Sequence, residues 1–254
     1  MKKCVNCGTE AEGNFCYNCG QKLGNTAVSW KIISSDISDR WIGLDTKFLR
    51  TVVDLTVRPG KAIRRYLMGN RVRYVGPLGY FMVMSAILVI IAELLNLDFA
   101  EFLQKTNEAM GAVPVESPPE TAEFQQQIGD WMVRNFRWIP AILIPFLAIS
   151  TRLFFRGFSK SYLHHMVVIG YLQSHGLWIS IAQNVIYSIT GEILNTWILI
   201  FSFLYYTVAM LLVLERKKIF ITILKVILAW VVGYIMFTLA SGIVGAVYAI
   251  VDLV

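Results

Sequence analysis

The chain has 254 residues, 56% hydrophobic and 16% charged, with a formal net charge of +6 and a mean hydropathy of +0.57. Soluble domains average about 45–50% apolar and about 25% charged, and here the apolar residues sit in long, nearly charge-free runs, which excludes an ordinary soluble domain. Four cysteines, seven prolines and the lack of a Gly-x-y period exclude a disulfide scaffold, a collagen-like rod and a disordered chain. An all-α polytopic membrane protein is what such a composition specifies.

At the N-terminus, Cys4-Val5-Asn6-Cys7-Gly8 and Cys16-Tyr17-Asn18-Cys19-Gly20 form the pattern C-x2-C-x8-C-x2-C. Each two-residue spacer lets both sulfurs of a knuckle reach one ion, and the glycine after each second cysteine permits a tight turn. Zinc favours this closed, all-sulfur tetrahedral shell, which leaves no open position for catalysis. An iron centre of the same geometry is a competing reading. So is a pair of disulfides, which conflicts with the cytoplasmic placement argued below. So short a loop cannot bury a core, so structural Zn2+ on Cys4, Cys7, Cys16 and Cys19 must supply its folding energy, on the order of 10–16 kcal/mol. Residues 1–24 are therefore expected to form a small zinc ribbon that docks a cytoplasmic protein partner or stabilises an end.

Residues 25–75 read as a polar linker followed by basic amphipathic helices at the membrane interface, with a first short helix near residues 30–41. Over 46–57, Phe48, Leu49, Val52, Val53 and Leu55 share one side, and Lys47, Arg50, Asp54 and Arg58 recur on the other at helical spacing. Pro59 suits the first turn of a second helix over 59–68, which Gly69-Asn70 stops. Between 46 and 75, eight basic residues stand against Asp54 alone, a net of +7. A basic amphipathic helix beside a span belongs at the interface, where each Lys or Arg near an anionic leaflet contributes about 1 kcal/mol. Arg58, Lys61, Arg64, Arg65, Arg71 and Arg73 are the candidate ligands for anionic lipid headgroups, through general surface contact or recognition of one specific anion. The interleaved aromatics are spaced for burial rather than base stacking, so nucleic acid is not the expected partner.

Five stretches reach the roughly 17–25 apolar residues that a spanning helix needs. They are residues 76–97, 138–155, 166–189, 193–214 and 226–251, within a transmembrane domain of 76–254. The second is the shortest, and its Pro145 removes a hydrogen bond to Ala141 and kinks it. Between the first two, residues 98–137 carry two helical patterns, the second opening at Ser117 with Glu120 three residues on. They read as a surface-lying helical hairpin. No secretory signal precedes residue 76. With the N-terminus in the cytoplasm, 20 of the 23 Lys and Arg lie on inner segments and seven acidic residues lie in the first outer loop. The positive-inside rule then gives a cytoplasmic N-terminus and an external C-terminus.

Ionisable and polar groups within spans are the candidates for function. The third span or its inner end holds all three histidines, His164, His165 and His175. His165, Gln173, Ser180, Gln183 and Asn184 form a polar stripe that turns away from lipid, because unpaired amides in hydrocarbon are costly. The stripe fits interhelical hydrogen bonding, the lining of a path for protons, ions or a small solute, or a catalytic histidine. In the fifth span, Ser241, Gly245 and Ala249 form a small-residue ridge suited to close packing within the chain or between copies in a homo-oligomer. No H-E-x-x-H, G-x-S-x-G or phosphate-cradling glycine loop is present, so an enzyme is not expected.

The run CVNCGTEAEGNFCYNCGQ, followed by LRTVVDLTVRPGKAIRRYLMGNRVRYVGPLGY, resembles an uncharacterised bacterial family that pairs a zinc ribbon with a multi-pass membrane region, a domain of unknown function. The likeness rests on Arg58-Pro59-Gly60-Lys61, Tyr66-Leu67, Gly69, Arg71, Arg73-Tyr74-Val75 and Pro77, and later on Tyr162-Leu163-His164-His165-Met166-Val167. The resemblance implies a bacterial inner-membrane protein and carries no known activity or catalytic residue. The combined expectation is a binding, regulatory or scaffolding role through the ribbon and the basic helices, with a small oligomeric transporter or channel as the alternative.

Overall fold

The computed structural model describes residues 1–23, 46–97, 101–102, 105, 139–215 and 218–252. The helix expected near 30–41 lies outside them, as does the hairpin expected over 98–137 apart from Glu101, Phe102 and Lys105. The N-terminal knuckles are framed by two short antiparallel strands, β1 (Lys2–Lys3) and β2 (Glu10–Ala11), with Lys2 opposite Ala11.

Seven helices follow among the described residues: α1 (Thr46–Val57), α2 (Pro59–Leu67), α3 (Pro77–Leu94), α4 (Ile139–Phe154), α5 (Tyr162–Thr190), α6 (Asn195–Leu214) and α7 (Ile219–Asp252). Proline opens α2 and α3, where its missing N–H leaves no bond unmade. Gly69, at φ +97°, closes the chain beyond α2, and Gly191, at φ +70°, caps α5. Helix α7 begins at Ile219 rather than at residue 226, because Lys225 stays exposed on its first turns and need not be excluded from a helix.

The face of α1 turned to the protein differs from expectation. Phe48, Thr51, Asp54 and Leu55 are buried, whereas Leu49, Val53 and Val57 are 56–73% exposed. Thr51 and Asp54 find hydrogen-bond partners in the bundle, and those bonds turn the helix so that an apolar stripe faces outward.

Three helical stretches are both long and apolar enough to cross a membrane: Pro77–Leu94, Trp197–Leu214 and Ile219–Gly242. Helix α4 is apolar but has 16 residues, about 24 Å at 1.5 Å per residue against a hydrocarbon core of about 30 Å. Helix α5 is long at 29 residues but less hydrophobic, because it is the central helix and buries polar side chains among its neighbours. It packs against α3, α4 and α6. Pro77 meets Gly170 and Phe102 meets Tyr187, so α3 and α5 run parallel. Helix α7 runs antiparallel to α4, with Ser150 bonded to the Ala229 carbonyl and Phe146 against Phe237. This topology brings the starts of α3, α5 and α7 and the ends of α4 and α6 to one end of the bundle.

Candidate metal centre and the basic turn beneath it

Two identical backbone knuckles present the cysteines. In the first, the Cys4 N–H donates to the Thr9 carbonyl and the Gly8 N–H to the Cys4 carbonyl; in the second, Cys16 and Gly20 repeat this with Gln21 and Cys16. Gly8 and Gly20 take φ of +77° and +69°, the left-handed conformation that glycine adopts without strain. The four Sγ atoms lie within 4.8 Å of one another, with Cys4–Cys19 and Cys7–Cys16 each at 3.6 Å. A tetrahedral metal with bonds of about 2.3 Å needs sulfurs about 3.8 Å apart, whereas a disulfide needs about 2.05 Å. The cluster therefore fits a single ion. Hydrogen bonding with the Thr9 side chain and backbone lowers the exposed Cys7 thiol to about 6, the direction that favours the metal-ligating thiolate.

The knuckles do not hang free of the helices. Gln21 is buried, and its side-chain N–H donates to the Gly69 carbonyl at 2.8 Å while its Oε1 accepts from the Val72 N–H at 3.3 Å. One amide thus grips both edges of the turn that joins α2 to α3.

That turn is tied down from below. The Val75 N–H donates to Thr51 Oγ1 at 3.0 Å, and the Tyr171 hydroxyl donates to the Val75 carbonyl at 2.6 Å. Asp54 accepts from the Tyr74 hydroxyl at 2.7 Å and from Arg58 at 2.8 Å. Burial alone would raise the Asp54 carboxyl, but the Tyr74 and Arg58 hydrogen bonds, with the Arg58 and Arg73 charges, outweigh it and hold the group below its usual range.

The six candidate headgroup residues divide. Arg58 is paired with Asp54, and Arg64 bonds the Leu212 and Val213 carbonyls and the Glu215 carboxylate, at 2.6 Å, so that it caps the end of α6. Arg71 is buried over the Tyr66 ring at 5.6 Å, and Arg73 lies over Tyr74 at 6.0 Å. Lys61 is exposed and Arg65 half-buried. Gly60 fits against the backbone of α6, where an added Cβ would collide with the Leu212 carbonyl.

The polar stripe of α5 is not one site. His165 bonds the Ser159 carbonyl at 3.0 Å and meets the Phe158 ring edge-on, which braces the α4–α5 turn together with His164 and Ser159. It stands 18 residues, about 27 Å, from Gln183 along the helix. Gln183 and Asn184 are buried, while Gln173 and Ser180 are half-buried. The denser polar centre is at His175, a histidine of the third span that the sequence pattern leaves off the stripe. The Tyr80 hydroxyl lies 2.8 Å from Nδ1, Nε2 lies 3.1 Å from Thr56 Oγ1, and the Thr56 hydroxyl donates to the Val52 carbonyl at 2.8 Å. A neutral ring protonated at Nε2 satisfies every group in this chain, with Tyr80 donating to Nδ1. His175 and Gln183 also line a cleft of about 470 Å³ between α5 and α6, walled by Trp178, Trp197 and Phe201.

These features define a mostly helical protein with helices apolar enough to cross a membrane and a four-cysteine cluster able to hold a metal ion. The model of a family described as "Protein of unknown function (DUF3667)" matches residues 45–89, and the chain is similar to that family over α1, α2, the basic turn and most of α3. No curated protein and no solved structure matches the chain.

Proposed function

We propose that the protein is a five-span inner-membrane protein whose cytoplasmic ribbon, held by structural Zn2+, is a regulatory or scaffolding module for a cytoplasmic protein partner and anionic lipid headgroups. The observation that carries this reading is the Gln21 clamp, which links the fold of the metal knuckles to the turn bearing Arg71 and Arg73. Support for the orientation comes from the one-ended charge: the basic turn, Arg152, Arg156 and Lys160 all belong to the bundle end where α3 begins and α4 and α6 finish. In favour of five spans, α4 and α5 pack between the three apolar helices and share their alternating directions. Of the six candidate headgroup residues, Lys61 and Arg65 are the ones left open to a headgroup. No catalytic role is assigned to any residue.

Replacing Gln21 by Ala tests the coupling. The variant is expected to keep a full equivalent of metal while hydrogen exchange at residues 69–72 accelerates. Unchanged exchange in that turn would remove the link on which the reading rests. The α5–α6 cleft favours a second reading, transport of a small solute past His175 and Gln183. On that reading, liposomes should show a flux that Gln183→Leu abolishes, and a protein that assembles normally but passes no solute would end it.

A further inference from the structure

A second cationic feature lies away from the metal centre and its turn. A cleft of about 480 Å³ opens beside the end of α4, lined by Ile149, Arg152, Leu153, Arg156 and Lys160. Its wall is therefore apolar at one side and triply cationic at the other. Ile149 and Leu153 are 44% and 53% exposed, one turn apart on the outward face of α4. Arg152, in the last turn of α4, and Arg156, in the turn that follows the helix, are both exposed and set like charges against the same cleft. Among the described residues none of the three cations forms an ion pair. The negative end of α4 offsets only about half an elementary charge, so the greater part of the +3 remains unanswered.

We propose that this cleft binds an anionic glycerophospholipid, its phosphate among Arg152, Arg156 and Lys160 and an acyl chain along Ile149 and Leu153. The charge selects an anion, and the adjoining apolar wall selects one that carries a hydrocarbon chain over a water-soluble phosphate. Basic pockets between membrane helices recognise lipid headgroups through this pairing of charge and apolar surface. The site is separate from Lys61 and Arg65 and does not depend on the ribbon.

The test uses the full-length protein in phosphatidylcholine vesicles titrated with a photoactivatable phosphatidylglycerol, with labelling read on the peptide that spans residues 149–160. Wild-type protein should label at low lipid concentration, and the phosphatidylcholine analogue should label that peptide far less. Each cation contributes roughly fivefold in affinity, so R152Q/R156Q should raise the half-saturating concentration roughly 30-fold. Lys160→Gln, which lies beyond the helix and cannot disturb its fold, should raise it about fivefold by the same reckoning. Removing a cation at the opposite end of the bundle, in Lys105→Gln, should change nothing. Equal labelling by the phosphatidylcholine analogue, or wild-type labelling in R152Q/R156Q and Lys160→Gln, would overturn the site. Competition by free glycerol phosphate as strong as by the lipid would overturn it too, by showing a soluble anion in its place.

Discussion

Asp54 is 2% exposed and carries a charge, an arrangement that holds only because Tyr74 and Arg58 supply its hydrogen bonds. Its folded carboxyl is held below the ordinary aspartate value of 3.8, so the stability it adds is fully present above about pH 4. That contribution is lost as pH falls through the lower, folded value, because the unfolded chain then binds the proton more tightly than the native one. Acid should therefore loosen α1 and the turn before it melts the remaining helices, as hydrogen exchange on residues 46–75 would record. Replacing Asp54 by Asn keeps the shape and removes the charge, and thermal unfolding should show a loss of about 2–4 kcal/mol, with Arg58 half-exposed and so partly consoled by water. A variant as stable as the parent at neutral pH would mean that the carboxylate is not anionic in the native state.

At the scale of elements, two glycines distinguish packing from spacing. Gly60 lies where α2 crosses the end of α6, and a methyl group there meets backbone, which cannot rotate aside. Gly60→Ala should push the helices apart at a cost of about 1–3 kcal/mol or more, visible as a lowered Tm and faster exchange at the end of α6. Gly242 on α7 has nothing among the described residues within 4 Å of an added Cβ, and its neighbour Ser241 is exposed. Gly242→Ala should leave a monomer unchanged or gain up to about 1 kcal/mol from helix propensity. A loss of stability in that variant, dependent on protein concentration, would instead place the small-residue ridge between copies; Gly245 and Ala249 lie where side chains are outside the described set. A tight contact that α7 does make within the chain is at Gly233, against Leu147. Local chemistry made the helices readable: Pro59 marks a start, Gly69 a stop, and cysteine spacing with two glycines the knuckles. Long-range partnership was not readable. His175 bonds Thr56 and Tyr80 across 119 and 95 positions, and no spacing rule connects them. The same blindness misassigned the faces of α1, since periodicity grouped Asp54 with the solvated cations while its partner Tyr74 lies 20 residues on.

The whole molecule has two cores of very different size. The bundle core joins Phe48, Tyr66, Tyr80, Met84, Leu147 and Tyr171 with many others, whereas the ribbon's apolar core among the described residues is Cys4, Ala11 and Cys16, with Cys19 and Leu23 at its edge. Two of those three buried residues are thiol side chains, so without an ion the ribbon has almost no apolar surface to offset the entropy of ordering its backbone, about 1–2 kcal/mol per residue. The bundle core contains none of the four cysteines. Stripping the ion with a chelator, or replacing Cys16 by Ser, should accordingly unfold residues 4–23 and leave α3, α6 and α7 inserted and protected from exchange. The Gln21 clamp adds a second expectation, because an unfolded ribbon cannot hold the Gly69 carbonyl and the Val72 N–H. The Val72 N–H, held by Gln21 Oε1, should then exchange faster in step with metal loss, whereas the Gly69 N–H bonds the Tyr66 carbonyl and reports the end of α2 instead. Elemental analysis alongside hydrogen exchange measures both quantities in one sample. Protein that holds less than about half an equivalent of zinc, and bound no other metal, yet keeps full protection at Cys4 and Cys16 would show that the knuckles fold without an ion, contrary to the core sizes from which metal dependence is argued.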